Sequence, residues 1–289
     1  MHSPPPLLRC AAPAKLNLFL HVIGQRTDGY HLLQTVFQLI DWCDYLDFYC
    51  RPDGVIRRIN ALDHIPPEED LSIRAAKLLQ AHTGCHLGVD IYLEKHLPLG
   101  GGVGGGSSDA ATTLLALNRL WNLHLTHHEL ISLGQQLGAD VPFFIFGRNA
   151  FAQGIGEQLE AIDLPEQWFA VLCPSSHIST AQVFSDPNLT RTTEPVRIAD
   201  FTAYPDPFQY GHNDLQVVVE KHDNAVASAV RWLATRASNA RMTGSGACVF
   251  ASFSTCGAAQ KVVNDARQEN WSSHCISGLK NHPLIDFAM

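Results

Sequence analysis

A glycine-rich segment is the part of this sequence with the clearest chemical meaning. Six of the seven residues from Gly100 to Gly106 are glycine, between Leu97-Pro-Leu99 and Ser107-Ser108. Ordering so many glycines costs much conformational entropy, so the segment must have a use. Without Cβ atoms, successive backbone N–H groups can surround an anion, and the N-terminus of a following helix adds roughly half a positive charge. The segment therefore predicts a phosphate-binding loop, made of Pro98, Leu99, Gly100, Gly101, Gly102, Val103, Gly104, Gly105, Gly106, Ser107 and Ser108.

Linkers and the better-known nucleotide loops fit these glycines less well. A flexible linker is rarely bounded by a strand pattern on one side and a helix pattern on the other. The spacing Gly100-x-Gly102-x-x-Gly105 also satisfies the dinucleotide fingerprint, but no acidic residue ends a second strand about 20 residues later. No lysine follows the last glycine, as a Walker loop requires, and neither H-R-D nor D-F-G of the protein kinases occurs.

Two residues at the end of the loop could hold a metal ion. Ser108 and Asp109 provide the oxygen ligands that a magnesium ion bridging two phosphates prefers. Asp109 could equally serve only to complement the dipole of the following helix. The pair His127 and His128 has no partner at metal-ligand spacing, so we expect both at the surface.

A lysine and an aspartate far apart in the sequence are candidates for catalysis. Residues 15–22 alternate in polarity and predict a strand that turns Lys15 and Asn17 toward either solvent or a cleft. Asp140 precedes Val141-Pro142, where it could act as a general base or simply as a helix N-cap. The Asp28-Gly29 turn delivers Tyr30 and His31 close to the first strand.

Further elements must position these residues. Helices are predicted over 71–81, with Asp70 as N-cap or first-turn acid, directly after the glycine loop, and over 129–137, 213–233 and 258–269. One or two strands are predicted over 36–49 and single strands over 89–93 and 168–172, and a glycine turn at 241–247 leads into another strand. Because the sequence pattern of the second half differs from that of the first, we predict a domain boundary near Gly156.

Composition limits the classes of function. The chain has 289 residues, 46% of them apolar, which suits two globular domains. A net charge of −8 with 20 scattered Lys and Arg argues against a nucleic-acid partner, so any anionic ligand must be held locally. The eight cysteines form no C-x-x-C pair and are expected to be free thiols. We find neither a signal peptide nor a membrane span and expect a cytoplasmic protein.

Three motifs in order resemble the superfamily of small-molecule kinases named for galactokinase, homoserine kinase, mevalonate kinase and phosphomevalonate kinase. They are Pro13-Ala-Lys-Leu-Asn17, the glycine loop from Pro98 to Ser108, and Thr243-Gly-Ser-Gly-Ala247. Gly24-Gln-Arg-Thr-Asp-Gly-Tyr-His31 and Leu137-Gly-Ala-Asp-Val-Pro142 resemble the branch that acts on a cytidine diphosphate derivative of methylerythritol. The resemblance spans nearly the whole chain.

The resemblance implies a fold and roles for individual residues. It implies two α+β domains with the active site in the cleft between them: residues 1–156 as an ATP-binding domain and 157–289 as a substrate-binding domain. Asp140 would be the catalytic base with Lys15 as its charged neighbour, and ATP with Mg²⁺ would occupy the glycine loop. The cytosine would lie between Tyr30 and Phe184, with Asn17 and His31 lining the same pocket. The implied reaction phosphorylates the 2-hydroxyl of the substrate in the non-mevalonate route to isoprenoids and terpenoids.

Two points qualify this assignment. Asp70 stands where the branch usually has asparagine, which puts its contact with adenine in doubt. A related ATP-dependent decarboxylase and a nucleotide-binding sensory protein are the alternative functions. Gly29-Tyr-His31 disfavours the first, and the presence of both Lys15 and Asp140 disfavours the second. The sequence does not indicate the oligomeric state.

Overall fold

Two β-sheets divide the chain between them. In the computed structural model, which describes residues 5–62 and 65–289, the first six strands form one sheet and the last four form another. The strands are β1 (Leu7–Gln25), β2 (His31–Arg51), β3 (Ile56–Arg58), β4 (Gly88–Glu94), β5 (Ala150–Gln153), β6 (Gln158–Ala161), β7 (Trp168–Leu172), β8 (Arg241–Met242), β9 (Val249–Phe253) and β10 (Ser273–Ser277).

The long strand β2 organises the larger sheet. It pairs antiparallel with β1 along one edge, while on the other edge β4 pairs with its second half and β5 with its first half. β3 adds to β4 in parallel and β6 adds to β5 antiparallel. The smaller sheet is antiparallel in the order β10-β7-β9-β8.

The predicted strand 15–22 lies inside β1, but its environment differs from the simplest expectation. Phe19 is fully buried, and Lys15 and Asn17 are only 3% and 2% exposed. Both faces of this part of β1 are therefore covered. The helices of the larger sheet pack on one face, and the smaller sheet packs on the other. The solvent-facing alternative for Lys15 is wrong.

The helices are α1 (Leu71–Thr83), α2 (Gly105–Leu120), α3 (His127–Gly134), α4 (Val141–Phe146), α5 (Thr180–Ser185), α6 (Ile198–Thr202), α7 (Asp214–His222), α8 (Asn224–Ala234) and α9 (Cys256–Gln268). Asp70 caps α1 through a hydrogen bond from Ser72 N, as predicted. The single helix predicted over 213–233 is wrong. Asp223 ends α7, and its side chain accepts from two backbone N–H groups to start α8.

Three buried clusters hold these layers together. One lies between the larger sheet and α1, α2 and α4, and another between the smaller sheet and α7, α8 and α9. The third lies between the two sheets and contains Phe19, Phe151, Phe169 and Phe250. The chain thus has two α+β parts in contact through a shared apolar layer.

The strands on either side of Gly156 belong to the same sheet. β5 and β6 pair as a hairpin, with residues 154–157 as its turn. The last strand of the larger sheet therefore ends at Ala161, and the first strand of the smaller sheet begins at Trp168.

Two findings bear on the expectations about membrane spans and cysteines. None of the helices in the described ranges has the length and apolar character needed to cross a membrane. Each of the eight cysteines is a free thiol.

Candidate functional site

A large cavity opens where the two parts of the chain meet. Its volume is about 990 Å³. Its wall includes Lys15 and Asn17 of β1, Tyr30 just before β2, His31 of β2, most of the glycine loop, Asp140, and residues of the second half such as Phe184 and Ser245. The cavity thereby brings together residues that are as far apart in sequence as Lys15 and Ser245.

Lys15 and Asp140 form an ion pair at the cavity wall. Lys15 Nζ lies 3.6 Å from Asp140 Oδ2, and the side chains are 4% and 34% exposed. Burial lowers the pKa of Lys15, and the neighbouring Asp140 carboxylate opposes that shift. A buried ammonium thus faces a carboxylate that remains open to the cavity.

The carboxylate of Asp140 does not cap the helix that follows it. Asp140 occupies the N-cap position of α4, but its side chain makes no capping hydrogen bond. A proline in the first turn of α4 reduces the number of N–H groups that need a partner. The helix-cap interpretation therefore does not account for this side chain, which is left to Lys15 and to a ligand.

Asn17 holds Lys15 in place. Its Oδ1 accepts from Lys15 Nζ at 2.5 Å and from Thr243 Oγ1 at 3.3 Å. Its Nδ2 donates to Thr35 Oγ1 at 2.9 Å, and its backbone N donates to Thr243 Oγ1 at 3.0 Å. Asn17 lines the cavity, yet its amide is engaged with protein groups and joins the first motif to the third.

The glycine loop needs its glycines for shape. Gly100, Gly102 and Gly104 have φ of +69°, +73° and +77°, a region that other residues avoid. A Cβ on Gly102 would lie 2.3 Å from the carbonyl oxygen of Thr243. The loop therefore packs backbone to backbone against the third motif and then enters α2 at Gly105.

Most of the predicted loop residues reach the cavity. Val103 and Ser108 do not line it: Val103 belongs to the apolar layer between the sheets, and Ser108 is fully buried. Val103 instead accepts a backbone hydrogen bond from Lys15 N at 2.9 Å. The loop thereby fixes the backbone of the lysine.

A buried charge cluster lies beneath the start of α2. Lys95 Nζ donates to Asp109 Oδ2 at 2.7 Å and also to Asp44. Asp44 in addition accepts from the backbone N–H groups of His96 and Leu97, which lead into the loop. Burial raises the pKa of Asp109, although Lys95 acts in the opposite direction.

Ser108 and Asp109 carry unpaired oxygens. Ser108 Oγ and Asp109 Oδ1 are buried without a hydrogen-bond partner among residues 5–62 and 65–289. Oxygens are the ligands that a hard cation such as Mg²⁺ prefers, although neither Ser108 nor Asp109 lines the cavity. Residues 5–62 and 65–289 contain no group of three or more His, Cys, Asp or Glu side chains that could hold a metal ion.

Asp70 is held by structural contacts. The carboxylate of Asp70 caps α1 and pairs with Arg58 Nη1 at 2.7 Å.

The two adjacent histidines differ in exposure. His128 is exposed, whereas His127 is partly buried. The expected surface position is therefore confirmed for His128 alone.

Three ring-bearing residues, Tyr30, His31 and Phe184, line another part of the site. Tyr30 is 61% exposed, which rules out the interpretation that it fills the core. Phe184 is half-buried, and its ring centroid lies 5.0 Å from that of His31 at an angle of 31°. All three line the cavity.

Several residues of this site were not found from the sequence. Lys95 and Thr35 carry no motif of their own, and Arg191, which binds His31, lies in a polar segment with no periodic pattern. The charge of Lys95 just before the loop was the one available signal. Thr243 belongs to the third motif, which assigns it no role of its own.

Known proteins resemble the chain over its whole length. Residues 70–148 match the GHMP kinases N terminal domain, and residues 208–273 match the GHMP kinases C terminal domain. The chain is 58% identical to 4-diphosphocytidyl-2-C-methyl-D-erythritol kinase of Ralstonia nicotianae, with 100% of each chain covered. It is 54% identical to the enzyme of the same name from Cupriavidus metallidurans, over 99% of this chain and 98% of that one.

A solved structure agrees with this result. The crystal structure of a 4-(cytidine 5'-diphospho)-2C-methyl-D-erythritol kinase superposes with a TM-score of 0.78 at 30% identity, covering 95% of this chain and 99% of that one. The expected two-domain α+β kinase fold is thereby confirmed. The chain therefore belongs to the GHMP kinases and, within them, to the family of 4-diphosphocytidyl-2-C-methyl-D-erythritol kinases, so it is an ATP-dependent kinase.

Proposed function

We propose that this kinase transfers the γ-phosphoryl group of ATP to the 2-hydroxyl of 4-diphosphocytidyl-2-C-methyl-D-erythritol, a step of the non-mevalonate route to isoprenoids and terpenoids. The relatives that cover the full chain carry this substrate in their names. The observation that carries the proposal is that one cavity unites a glycine loop, an ion pair and a set of aromatic residues. We place the reaction in the cytoplasm, without a nucleic-acid or membrane partner.

Asp140 is the general base in this proposal. The substrate hydroxyl oxygen attacks the γ-phosphorus, the bond from that phosphorus to the β,γ-bridging oxygen breaks, and the hydroxyl proton passes to a carboxylate oxygen of Asp140. Lys15 supports this role, because its ammonium, 3.6 Å from Asp140 Oδ2, stabilises the negative charge that develops on the attacking oxygen. Asn17 keeps the ammonium in position.

The triphosphate lies along the glycine loop. Positive φ angles and close packing leave the backbone N–H groups of the loop free of side-chain obstruction, and the N-terminus of α2 adds its partial positive charge. Ser108 Oγ and Asp109 Oδ1 are the proposed ligands of Mg²⁺, but both residues are buried and neither lines the cavity, so the two side chains would have to turn toward the phosphates to reach the ion. When bound, the ion neutralises charge on the phosphate oxygens. ATP would thus lie against the part of the wall that the glycine loop forms.

The cytosine lies between Tyr30 and Phe184 and beside His31. Exposed and half-buried rings at the edge of a cavity suit stacking on a base, which is worth roughly 1–3 kcal/mol per base. Phe184 comes from the second part of the chain, consistent with a substrate-binding role for residues 157–289.

A substrate panel tests the proposal. Purified protein with ATP and Mg²⁺ should phosphorylate the diphosphocytidyl derivative, but not methylerythritol phosphate without the nucleotide. Tyr30→Ala should weaken binding of this substrate by about 5- to 150-fold and leave ATP binding unchanged. Tyr92→Ala, at an exposed tyrosine outside the cavity, is the matched control. Equal activity on the nucleotide-free alcohol would contradict the proposal.

A further inference from the structure

Arg191 connects the two parts of the chain behind His31 and Phe184, which line the cavity. Its Nε donates to His31 Nε2 at 3.0 Å, and its Nη1 donates to Leu189 O at 3.1 Å. Its Nη2 donates to Phe184 O at 3.0 Å and to Asp186 O at 2.9 Å. One guanidinium thus holds the imidazole at the start of β2 and the end of the helix that bears Phe184.

The contact with His31 determines where the imidazole proton resides. A guanidinium is always charged and has only donors, so His31 Nε2 must offer a lone pair. The ring is then neutral, with its proton on Nδ1. Burial, aided by the Arg191 charge, lowers the pKa of His31, which favours the same neutral form. Nδ1 has no hydrogen-bond partner in the part of the chain that the structure describes.

We propose that Arg191 is the positioning residue that fixes His31 as an Nδ1–H donor and so makes the cavity select cytosine over uracil. Cytosine has a lone pair at ring nitrogen 3, whereas uracil has an N–H there. A fixed Nδ1–H donor complements the first and opposes the second, because two donors facing each other leave both unpaired. The base-selection part of this inference rests on the proposed function.

Arg191 acts on Phe184 as well. By binding the carbonyl oxygens of Phe184 and Asp186, it holds the backbone that keeps the Phe184 ring against His31. The donor and the stacking surface are therefore set by the same side chain. A purely structural arginine would stabilise this segment without any effect on the tautomer of His31 or on the choice of base.

The tautomer can be read in the ligand-free protein. Nitrogen-15 NMR of the histidine side chains, with His31→Gln to assign the signal, should show the proton of His31 on Nδ1 in the native enzyme. In Arg191→Met, which keeps the length of the side chain and removes its donors, the signal should shift toward the Nε2–H form. Arg197→Met is the control, because Arg197 is a highly exposed arginine of the same segment that pairs with Asp200.

Kinetics supply the second readout. Arg191→Met should raise the KM for the cytidine substrate and reduce the preference for cytidine over uridine by at least about tenfold. The KM for ATP should not change, and Arg191→Lys, which keeps a charged donor, should recover part of the preference. Arg197→Met should behave like the native enzyme.

The outcomes separate the two proposals. An Nε2–H tautomer in the native protein, or an unchanged tautomer and base preference in folded Arg191→Met, would overturn the positioning role. A native enzyme that phosphorylates no nucleotide derivative would overturn the proposed function. In that case the NMR result on the ligand-free protein would still support or refute the control of His31 by Arg191.

Discussion

At the scale of single residues, the ion pair of Lys15 and Asp140 is the most informative feature. Pairing alone does not identify a catalyst, because many ion pairs only stabilise a fold. Here the lysine is buried, the aspartate is open to the cavity, and the helix that starts beside the aspartate does not use its carboxylate. Such an arrangement leaves a charged acceptor at the place where a proton would be released.

Replacing the proposed base tests this directly. We expect Asp140→Asn to reduce turnover by at least about 100-fold, because general-base assistance is of this size. Steady-state kinetics should show a loss in kcat, with little change in the KM for ATP. Asp163→Asn, at an exposed position, is the control. A folded Asp140→Asn enzyme with near-native turnover would rule out the base assignment.

At the scale of elements, the glycine loop and α2 form one unit whose glycines serve different purposes. Gly102 and Gly104 allow close packing: a Cβ on Gly104 would lie 2.8 Å from the ring of Phe144. Gly106, within the first turn of α2, has no positive φ, and its Cβ would meet only Leu71 Cδ1, at 3.5 Å. A side chain at Gly106 would therefore project without disturbing the fold.

This difference gives a clean test of phosphate binding by the loop. Gly106→Val should fold with a Tm close to the native value but bind ATP at least about tenfold more weakly, because the side chain crowds the approach to the N–H groups. Calorimetry would measure the affinity. Gly257→Val, in the first turn of α9 with no neighbour within 4 Å, is the matched control. Unchanged ATP binding by Gly106→Val would argue against the phosphate loop.

At the scale of the whole molecule, His282 links the end of the chain to the first domain. Its Nδ1 accepts from Leu284 N at 3.0 Å, its Nε2 lies 3.2 Å from Thr112 Oγ1 on α2, and its backbone N donates to Gly147 O at 2.8 Å. Burial lowers the pKa of His282 to about 3. The folded protein therefore keeps this imidazole neutral where the unfolded chain would protonate it.

A loss of stability in mild acid follows. The folded pKa lies below the unfolded value of about 6.5, so the unfolded state takes up the proton first as the pH falls. The contribution of neutral His282 to the free energy of unfolding is complete above about pH 7, and about 2 kcal/mol of that free energy should be lost at pH 5. Urea unfolding at pH 7.5 and 5.0 measures this loss.

His282→Asn isolates the effect from other groups, including His21, whose pKa burial lowers to about 4. Asparagine keeps an acceptor near the position of Nδ1 but does not titrate. The variant should be less stable than the native protein at pH 7.5 and should lose about 2 kcal/mol less on acidification. Equal losses in both proteins would show that His282 does not drive the pH dependence.

Features encoded by neighbouring residues were determined by the sequence itself. The strand 168–172 has the predicted bounds, α1 starts after its predicted cap, and the glycine loop leads into a helix. Hydrogen bonds and apolar periodicity within such segments depend on a few adjacent residues. The family motifs likewise identified the kinase fold, because each is a short local pattern.

Contacts between distant residues were decided only by the tertiary structure. The burial of both faces of β1, the break between α7 and α8, and the commitment of Asn17 to Lys15, Thr35 and Thr243 have no periodic signal. Arg191 reaches His31 across 160 residues because the two sheets pack through one apolar layer and bring the start of β2 beside the chain that follows α5. Packing of this kind depends on the summed shape of both parts of the chain, so no local window of sequence contains it.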